Sequence, residues 1–259
     1  MFDWLHRWRR RQEERVLRER AIPDLLWQYT LACHPFLARR SEADLAELRR
    51  LTTLFLANKE FSGAGGFVIT DEVAVAIAAQ ACVPILKLGL ALYDRFVGIV
   101  VHSDQMVIRR EEMDEHGVVH EYEDVLVGET AAGAVPVTLS WYDVAHADEA
   151  GEPGYNVVIH EFVHKIDLLD GEADGVPPLT PRSRRDAWAA MIDDEYLRFC
   201  ARVDRGEDVF LDPYAAEAVD EFFAVSAEAF FVAPDEFRLE HPRLYTELQG
   251  LFLQDPAAY

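Results

Sequence analysis

The chain has 259 residues, half of them hydrophobic, and carries a formal net charge of −22 at pH 7. This length and apolar content are enough for one large domain, or two small ones, with a sizeable core. Such an acidic surface argues against direct binding of nucleic acid, and no uninterrupted apolar stretch reaches the ~18 residues that a membrane span needs.

The start of the chain, residues 1–20, is rich in arginine and glutamate and lacks the apolar segment of a secretory signal. We expect a surface helix or a separate arm there. Three cysteines, Cys33, Cys82 and Cys200, are widely spaced, odd in number and embedded in apolar sequence. They predict buried thiols of a reducing compartment, and therefore a cytoplasmic location. Neither disulfides nor a cysteine zinc site is expected.

Residues 21–92 have a helical pattern. A serine N-cap followed by an i, i+3, i+4 leucine stripe predicts a helix over 41–58. An Ala/Val/Ile-rich segment predicts a buried helix over 71–82 with an aspartate cap, and 86–92 extend this helical region. The glycines within 63–66 match no phosphate-binding pattern and predict a turn.

The pattern changes to β after residue 93. Short runs rich in valine and isoleucine, separated by polar turns, predict strands at 96–101, 106–108, 118–127 and 135–141. We expect a small twisted sheet packed against helices. If the last of these strands lies at a sheet edge, its free backbone groups could hold an extended peptide.

The central motif is His160-Glu161-Phe-Val-His164, preceded by an apolar run. On a helix, residues four apart lie on the same face, so both imidazoles can reach one metal ion. Glu161 is then well placed to accept a proton from a metal-bound water. The motif therefore predicts a zinc site on an active-site helix whose other faces pack into the core.

A catalytic zinc site needs a third protein ligand. After a helix predicted over 186–202, the apolar segment 214–232 predicts a second buried helix, which ends before Pro234. Buried carboxylates need a partner, and a metal ion can serve as one. The residue pattern alone leaves four candidates for the third ligand: Glu217, Asp220, Glu221 and Glu228. The C-terminal segment 242–259 carries Tyr245, Leu248, Leu251 and Phe252 as expected packing residues.

Several segments together resemble a known family. They are Pro84–Leu90, Tyr93–Phe96, Leu139–Asp143, Asn156–Asp167 and Tyr214–Phe231. This combination is similar to the Mlc titration factor A family of bacterial cytosolic zinc peptidases, which is related to the catalytic domain of anthrax lethal factor. The resemblance implies an α+β, zincin-like metallopeptidase domain with a small twisted sheet, an active-site helix and an N-terminal helical region. We expect an arm at 1–20, a helical part at 21–92 and a catalytic part at 93–259, the last two forming one compact unit.

The resemblance also implies roles for five residues. His160, His164 and Glu221 would bind one zinc ion, as in gluzincins, Glu161 would be the general base, and Tyr214 would stabilise the oxyanion. The implied activity is that of an aminopeptidase acting on short peptides. The implied alternative is a regulatory protein that sequesters a transcriptional repressor of the Mlc type in the control of sugar uptake.

Two further carboxylates, Asp167 and Glu228, are candidates for orienting the histidines through their far nitrogens. Each could equally be a solvated or capping group. Asn156, just before the motif helix, is expected to bind backbone near the helix start.

Overall fold

A computed structural model describes residues 2–103, 135–147 and 154–259. The elements of this part are α1 (Phe2–Glu19), α2 (Asp24–Cys33), α3 (Pro35–Ala38), α4 (Glu42–Asn58), β1 (Glu60–Gly63), α5 (Asp71–Ala81), β2 (Gly98–His102), β3 (Val137–Ser140), α6 (Trp141–Ala145), α7 (Val157–Asp167), α8 (Arg182–Asp204), α9 (Val219–Val232), α10 (Pro234–Glu240) and α11 (Pro242–Phe252). The strands predicted at 106–108 and 118–127 lie outside it. Within the described ranges, no helix is long and apolar enough to cross a membrane.

The three described strands form one parallel sheet in the order β1-β2-β3, with Phe61, Ile99 and Val137 in register. The turn predicted at 63–66 is present at Gly65 and Gly66, which both have a positive φ. Gly63 instead ends strand β1, which the sequence did not predict and which pairs with β2 although most of its side chains are exposed. Gly63 is required there, since a Cβ would lie 1.7 Å from the carbonyl oxygen of Phe67. The mixed structure with a small sheet agrees with the predicted α+β class.

Strand β3 is shorter than the predicted 135–141, because α6 begins at Trp141 with Ser140 as its N-cap. The Ser140 hydroxyl accepts a hydrogen bond from the backbone N–H of Asp143 at 3.1 Å. Among the described residues, β3 pairs with β2 alone.

The N-terminal helices α4 and α5 each begin next to a residue whose side chain caps the first turn. Ser41 caps α4 by accepting a hydrogen bond from the N–H of Asp44 at 3.2 Å, as predicted. The cap of α5 is Thr70 and not the predicted aspartate, which lies in the first helical turn. Residues 86–92 do not continue α5, which ends at Ala81, shortly before Pro84. A short 3₁₀ turn at 90–93 follows Gly89, whose φ is 91°.

Helix α7 runs through an aromatic core. The ring of Phe162 lies 5.6 Å from that of Phe55, 5.2 Å from Tyr93 and 5.8 Å from Phe96. The buried ammonium of Lys59 donates hydrogen bonds to the carbonyl oxygens of Tyr93 and Phe96. These contacts attach the motif helix to α4 and to the segment that precedes β2.

Helix α9 begins later than the predicted 214–232. A 3₁₀ turn at 213–216 is capped by Asp212, and the extended backbone of Ala218, with φ −154° and ψ 161°, separates this turn from α9. Phe252 on α11 packs against Phe230 and Phe231 of α9 at ring distances of 5.9 and 4.9 Å. The predicted packing role of the C-terminal segment is thereby confirmed.

The cysteine prediction is only partly right. Cys82 is buried and Cys200 is half-buried, but Cys33 is exposed. Cys33 is the last residue of α2, beyond Trp27 and Thr30, the buried residues of that helix. All three thiols are free.

Candidate metal centre

Asn156 fixes the start of the motif helix. Its side-chain oxygen accepts a hydrogen bond from the N–H of Ile159 at 2.9 Å, which confirms the expected contact with the helix start. Its side-chain amide donates to the Oε1 of Gln80 at 2.7 Å, in a buried contact with α5. Sequence reasoning missed Gln80, although a lone polar residue in an Ala/Val/Ile-rich helix was a usable signal.

Helices α7 and α9 bring together two imidazoles and one carboxylate. The Nε2 atoms of His160 and His164 are 3.1 Å apart. Oε2 of Glu221 lies 3.1 Å from the first of these nitrogens and 3.6 Å from the second. All three side chains are mostly buried, and this group could bind a metal ion.

The polar atoms of this group fit a cation better than they fit one another. Oε2 of Glu221 is buried and has no hydrogen bond of normal geometry among the described residues. The two Nε2 atoms face each other at 3.1 Å, and either a shared proton or a metal ion between them satisfies both. Ligands held tetrahedrally at ~2.0–2.1 Å lie roughly 3.3 Å apart, close to the observed separations.

Electrostatics in the group favour a carboxylate that stays charged. Burial alone would raise the pKa of Glu221, but the neighbouring His160 and His164 hold it well below its ordinary value. Burial alone would lower the pKa of His160, but the adjacent carboxylates of Glu221 and Glu228 raise it to about 10. A metal ion bound to this group would therefore compete with a proton for Nε2 of His160.

Glu228 contacts the other nitrogen of the His160 ring, on the side away from Glu221. Its Oε1 is 2.7 Å from Nδ1 of His160, and its Oε2 accepts a hydrogen bond from the backbone N–H of Asn156. Burial raises the pKa of Glu228, whereas its contact with His160 lowers it. The carboxylate thus directs the Nδ1 proton towards itself and leaves Nε2 turned to the centre of the group.

Glu161 and Tyr214 are both half-buried near the three grouped residues. The ring of Tyr214 lies 6.4 Å from that of His160. Burial, and then the negative charges of Glu221 and Glu217, raise the pKa of Tyr214 above its ordinary value. Its hydroxyl therefore keeps its proton and can donate a hydrogen bond.

The remaining candidates lie outside the group. Glu217 is exposed and Asp220 is half-buried, and neither belongs to the metal-binding group formed by the described residues. Asp167 is buried, and its Oδ2 accepts a hydrogen bond from the N–H of Gly175 at 2.8 Å. Burial raises the pKa of Asp167 to about 7. Of the two carboxylates considered for orienting the histidines, Glu228 is the one whose contact with an imidazole is observed.

Comparison with known proteins gives the family. A family model described as "glucose-regulated metallo-peptidase M90" matches residues 5–253. The chain belongs to this M90 peptidase family. Members of a metallopeptidase family use a metal ion, in agreement with the His/His/Glu group.

Several relatives match this M90 chain over most of its length. Mlc titration factor A of Cronobacter sakazakii is 34% identical over 245 residues, which cover 91% of this chain and 88% of the relative. Mlc titration factor A of Escherichia coli O127:H6 is 33% identical over 239 residues, covering 90% and 87%. An uncharacterized protein of Synechocystis sp. is 35% identical over 254 residues, covering 98% and 90%. The resemblance seen in the sequence is thus confirmed.

Proposed function

We propose that this M90 peptidase is a zinc-dependent hydrolase of peptide bonds in a zincin-like catalytic domain. The observation that carries the proposal is the convergence of His160 Nε2, His164 Nε2 and Glu221 Oε2 within 3.6 Å of one another. Two histidines and one carboxylate are a usual ligand set for a catalytic zinc ion, which keeps its fourth position open for water or substrate. These three residues would hold the ion.

The chain's own groups then have distinct tasks. A bound zinc ion would lower the pKa of water and polarise the scissile carbonyl. Glu161 accepts the proton released as water attacks, and later delivers it to the leaving amine. The protonated hydroxyl of Tyr214 donates a hydrogen bond to the developing oxyanion. Glu228 keeps the ring of His160 oriented through Nδ1.

The finer assignments follow the family resemblance. We propose aminopeptidase-like action on short peptides in the cytoplasm, the compartment that suits three free thiols. An extended peptide could add to the sheet along β3, whose only partner in the described part is β2.

The test compares metal content with peptide cleavage. Protein purified without added zinc should contain about one zinc per chain, lost in His160→Ala and in Glu221→Ala. Glu161→Gln should keep the zinc and lose peptide cleavage by a factor of ~10² or more, and Tyr214→Phe should keep the zinc and lose ~10-fold or more in kcat. Zinc lost with His160→Ala alone would move the third ligand to another carboxylate. Full cleavage by Glu161→Gln would mean that the base is a different residue, and unchanged kcat in Tyr214→Phe would remove the tyrosine from the mechanism.

A second candidate function comes from the relatives, which are named as titration factors for Mlc. In this reading, the chain binds a transcriptional repressor of that type, with or without peptidase activity. Repressor binding by a docking surface does not need the general base. Glu161→Gln should therefore retain binding to such a repressor, measured by co-elution in size-exclusion chromatography, whereas loss of binding in this variant would tie the interaction to the catalytic residue.

A further inference from the structure

One face of α1 carries a row of exposed tryptophan and arginine side chains. Trp4 is 65% exposed and Trp8 is 50% exposed, and the two are separated by about one helical turn. Arg11, Arg15 and Arg18 follow, all at exposed positions. Consecutive members are three or four residues apart, so all five lie on the same side of the helix. We call these five residues the Trp/Arg stripe.

The stripe points away from the body of the protein. Glu13 on α1 lies 3.5 Å from Arg50 on α4, and Val16 and Leu17 are half-buried. At about 100° per residue, these three positions of α1 lie on the side of the helix opposite to the stripe. Helix α1 is therefore attached to α4 by one face, and the other face is open to solvent.

The positive charge of the stripe is largely unpaired. Arg11 and Arg15 form no ion pair with another residue in the described part of the chain, and Arg18 meets Glu19 at 3.5 Å with both side chains more than half exposed. An exposed pair of this kind is weak. Helix α1 contains six arginines and four acidic residues, so it is net positive in a chain whose net charge is −22. The stripe thus provides a local cationic surface on an acidic protein.

The two tryptophans limit which anionic partner fits this surface. The headgroup region of a bilayer accepts both kinds of side chain, because indole rings are enriched at that depth and guanidiniums bind phosphates. Duplex nucleic acid offers phosphates but leaves the indole rings in water. A helix at a bilayer surface uses one face along its length, and the stripe extends about 21 Å along one face of α1.

We propose that the Trp/Arg stripe binds the surface of an anionic phospholipid bilayer, with α1 lying in the plane of the membrane. The rings of Trp4 and Trp8 enter the headgroup region, and Arg11 and Arg15 donate hydrogen bonds to lipid phosphates. The acidic remainder of the chain is repelled by such a surface, so the attachment is reversible and sensitive to salt. No residue of the stripe belongs to the metal-binding group, and the proposal does not depend on peptidase activity.

Sedimentation of the full chain with vesicles tests this proposal. We expect binding to vesicles made of equal parts phosphatidylglycerol and phosphatidylcholine, release when the salt concentration rises from ~0.1 to ~0.5 M, and no binding to phosphatidylcholine alone. The double variant Trp4→Ala/Trp8→Ala should weaken binding by about 10-fold or more, because it removes the interfacial rings. Arg11→Gln/Arg15→Gln should weaken it by a similar factor, because each arginine adds attraction to the anionic surface.

Two double variants serve as matched controls, and both should bind like the parent. Leu25→Ala/Tyr29→Ala removes an exposed apolar pair with the same spacing from α2, where the two residues are 87% and 57% exposed. Arg39→Gln/Arg182→Gln removes the same charge at exposed positions outside α1. Losses in these controls equal to those in the α1 variants would show that the stripe is not the binding surface.

Other results would also overturn the proposal. They are absence of binding to the anionic vesicles at low salt, equal binding by the parent and both α1 variants, and equally strong binding to phosphatidylcholine alone. Tighter binding of an oligonucleotide than of vesicles, lost in the same α1 variants, would assign the stripe to nucleic acid instead. If a variant fails to fold, quenching of the parent's tryptophan fluorescence by brominated phosphatidylglycerol vesicles is an independent measurement. Unchanged fluorescence would remove Trp4 and Trp8 from the lipid interface.

Discussion

Glu228 is a buried carboxylate that contacts two parts of the same helix. One oxygen meets Nδ1 of His160, and the other accepts the backbone N–H of Asn156 at the start of α7. A carboxylate is stabilised at a helix N-terminus, where the partial charge is positive. Its position therefore fixes both the start of α7 and the orientation of one proposed ligand, although it does not belong to the metal-binding group itself.

Replacing Glu228 by glutamine should weaken zinc binding by about 10- to 100-fold, because the histidine loses the anionic partner of its Nδ1–H. Competition with a chromogenic chelator measures this affinity. Glu217→Gln provides the control, since Glu217 is close in sequence but exposed. Equal zinc affinities of parent and Glu228→Gln would show that the contact with His160 does not contribute to metal binding.

His241 makes the stability of the protein sensitive to acid. Burial, and then the charge of Arg202, lowers the pKa of His241 to about 4, although Glu240 opposes this shift. The unfolded chain, with an ordinary pKa near 6.5, takes up a proton first as the pH falls, so folding stability decreases between about pH 6.5 and 4.

We expect His241→Phe to remove up to ~3 kcal/mol of this acid-dependent loss of unfolding free energy, at 1.36 kcal/mol per pKa unit. Urea unfolding of the parent and of His241→Phe at pH 7 and at pH 4.5 measures the acid-dependent loss of unfolding free energy in each protein. Parallel losses in the two proteins would assign the acid sensitivity to other groups.

At the scale of elements, the pairing of α7 with α9 depends on a close backbone approach before α7. Gly154 has a φ of 89°, and a Cβ there would lie 2.9 Å from Cα of Ala229 on α9. Ala229 is the residue after Glu228, so this approach helps to set the distance between the helix that carries the histidines and the helix that carries both glutamates.

Gly154→Ala should destabilise the protein by about 1–3 kcal/mol more than Gly89→Ala, because only the first adds an overlap with α9. The comparison is matched: Gly89 has a φ of 91°, and a Cβ there would have no atom within 4 Å. Chemical denaturation measures the two changes. Equal losses would mean that backbone strain alone accounts for the requirement for glycine at 154.

The helices with strong local signals could be predicted from the sequence. The motif helix has apolar residues and a cap at the expected spacings, and Ser41 caps α4 as its sequence indicates. Strand β1 could not be predicted, since its four residues are mostly exposed and only pairing with β2 defines them. Residue spacing alone could not select the third ligand among the four candidate carboxylates. Burial and the contact of Glu228 with His160, 68 residues away, depend on tertiary packing.

At the scale of the whole molecule, the C-terminal helix completes the core behind α9. Phe252 is fully buried against two phenylalanines of α9, and the side-chain amide of Gln254 donates to the carbonyl oxygen of Val83 at 2.9 Å. The division into a helical part at 21–92 and a catalytic part at 93–259 stays a prediction. The contact between Gln254 and Val83 joins the two ranges directly.

Phe252→Ala should reduce the free energy of unfolding by about 3–5 kcal/mol, since it leaves a cavity against α9. In a chain of this size, that loss lowers Tm by roughly 6 °C or more, which differential scanning calorimetry resolves. Leu253→Ala is the control, because Leu253 is 60% exposed. Similar Tm values for parent and Phe252→Ala would show that α11 does not support α9.

The residues that meet at the proposed metal centre are far apart in the sequence, which has a consequence for the protein's synthesis. Gln80 contacts Asn156, and Glu228 contacts His160, so the centre draws on segments that leave the ribosome at very different times. An unfinished chain that ends before α9 contains both histidines but neither Glu221 nor Glu228. If Glu221 is the third ligand, as proposed, hydrolytic capacity arises only after α9 has been synthesised, so a partly made chain cannot cleave itself or its neighbours.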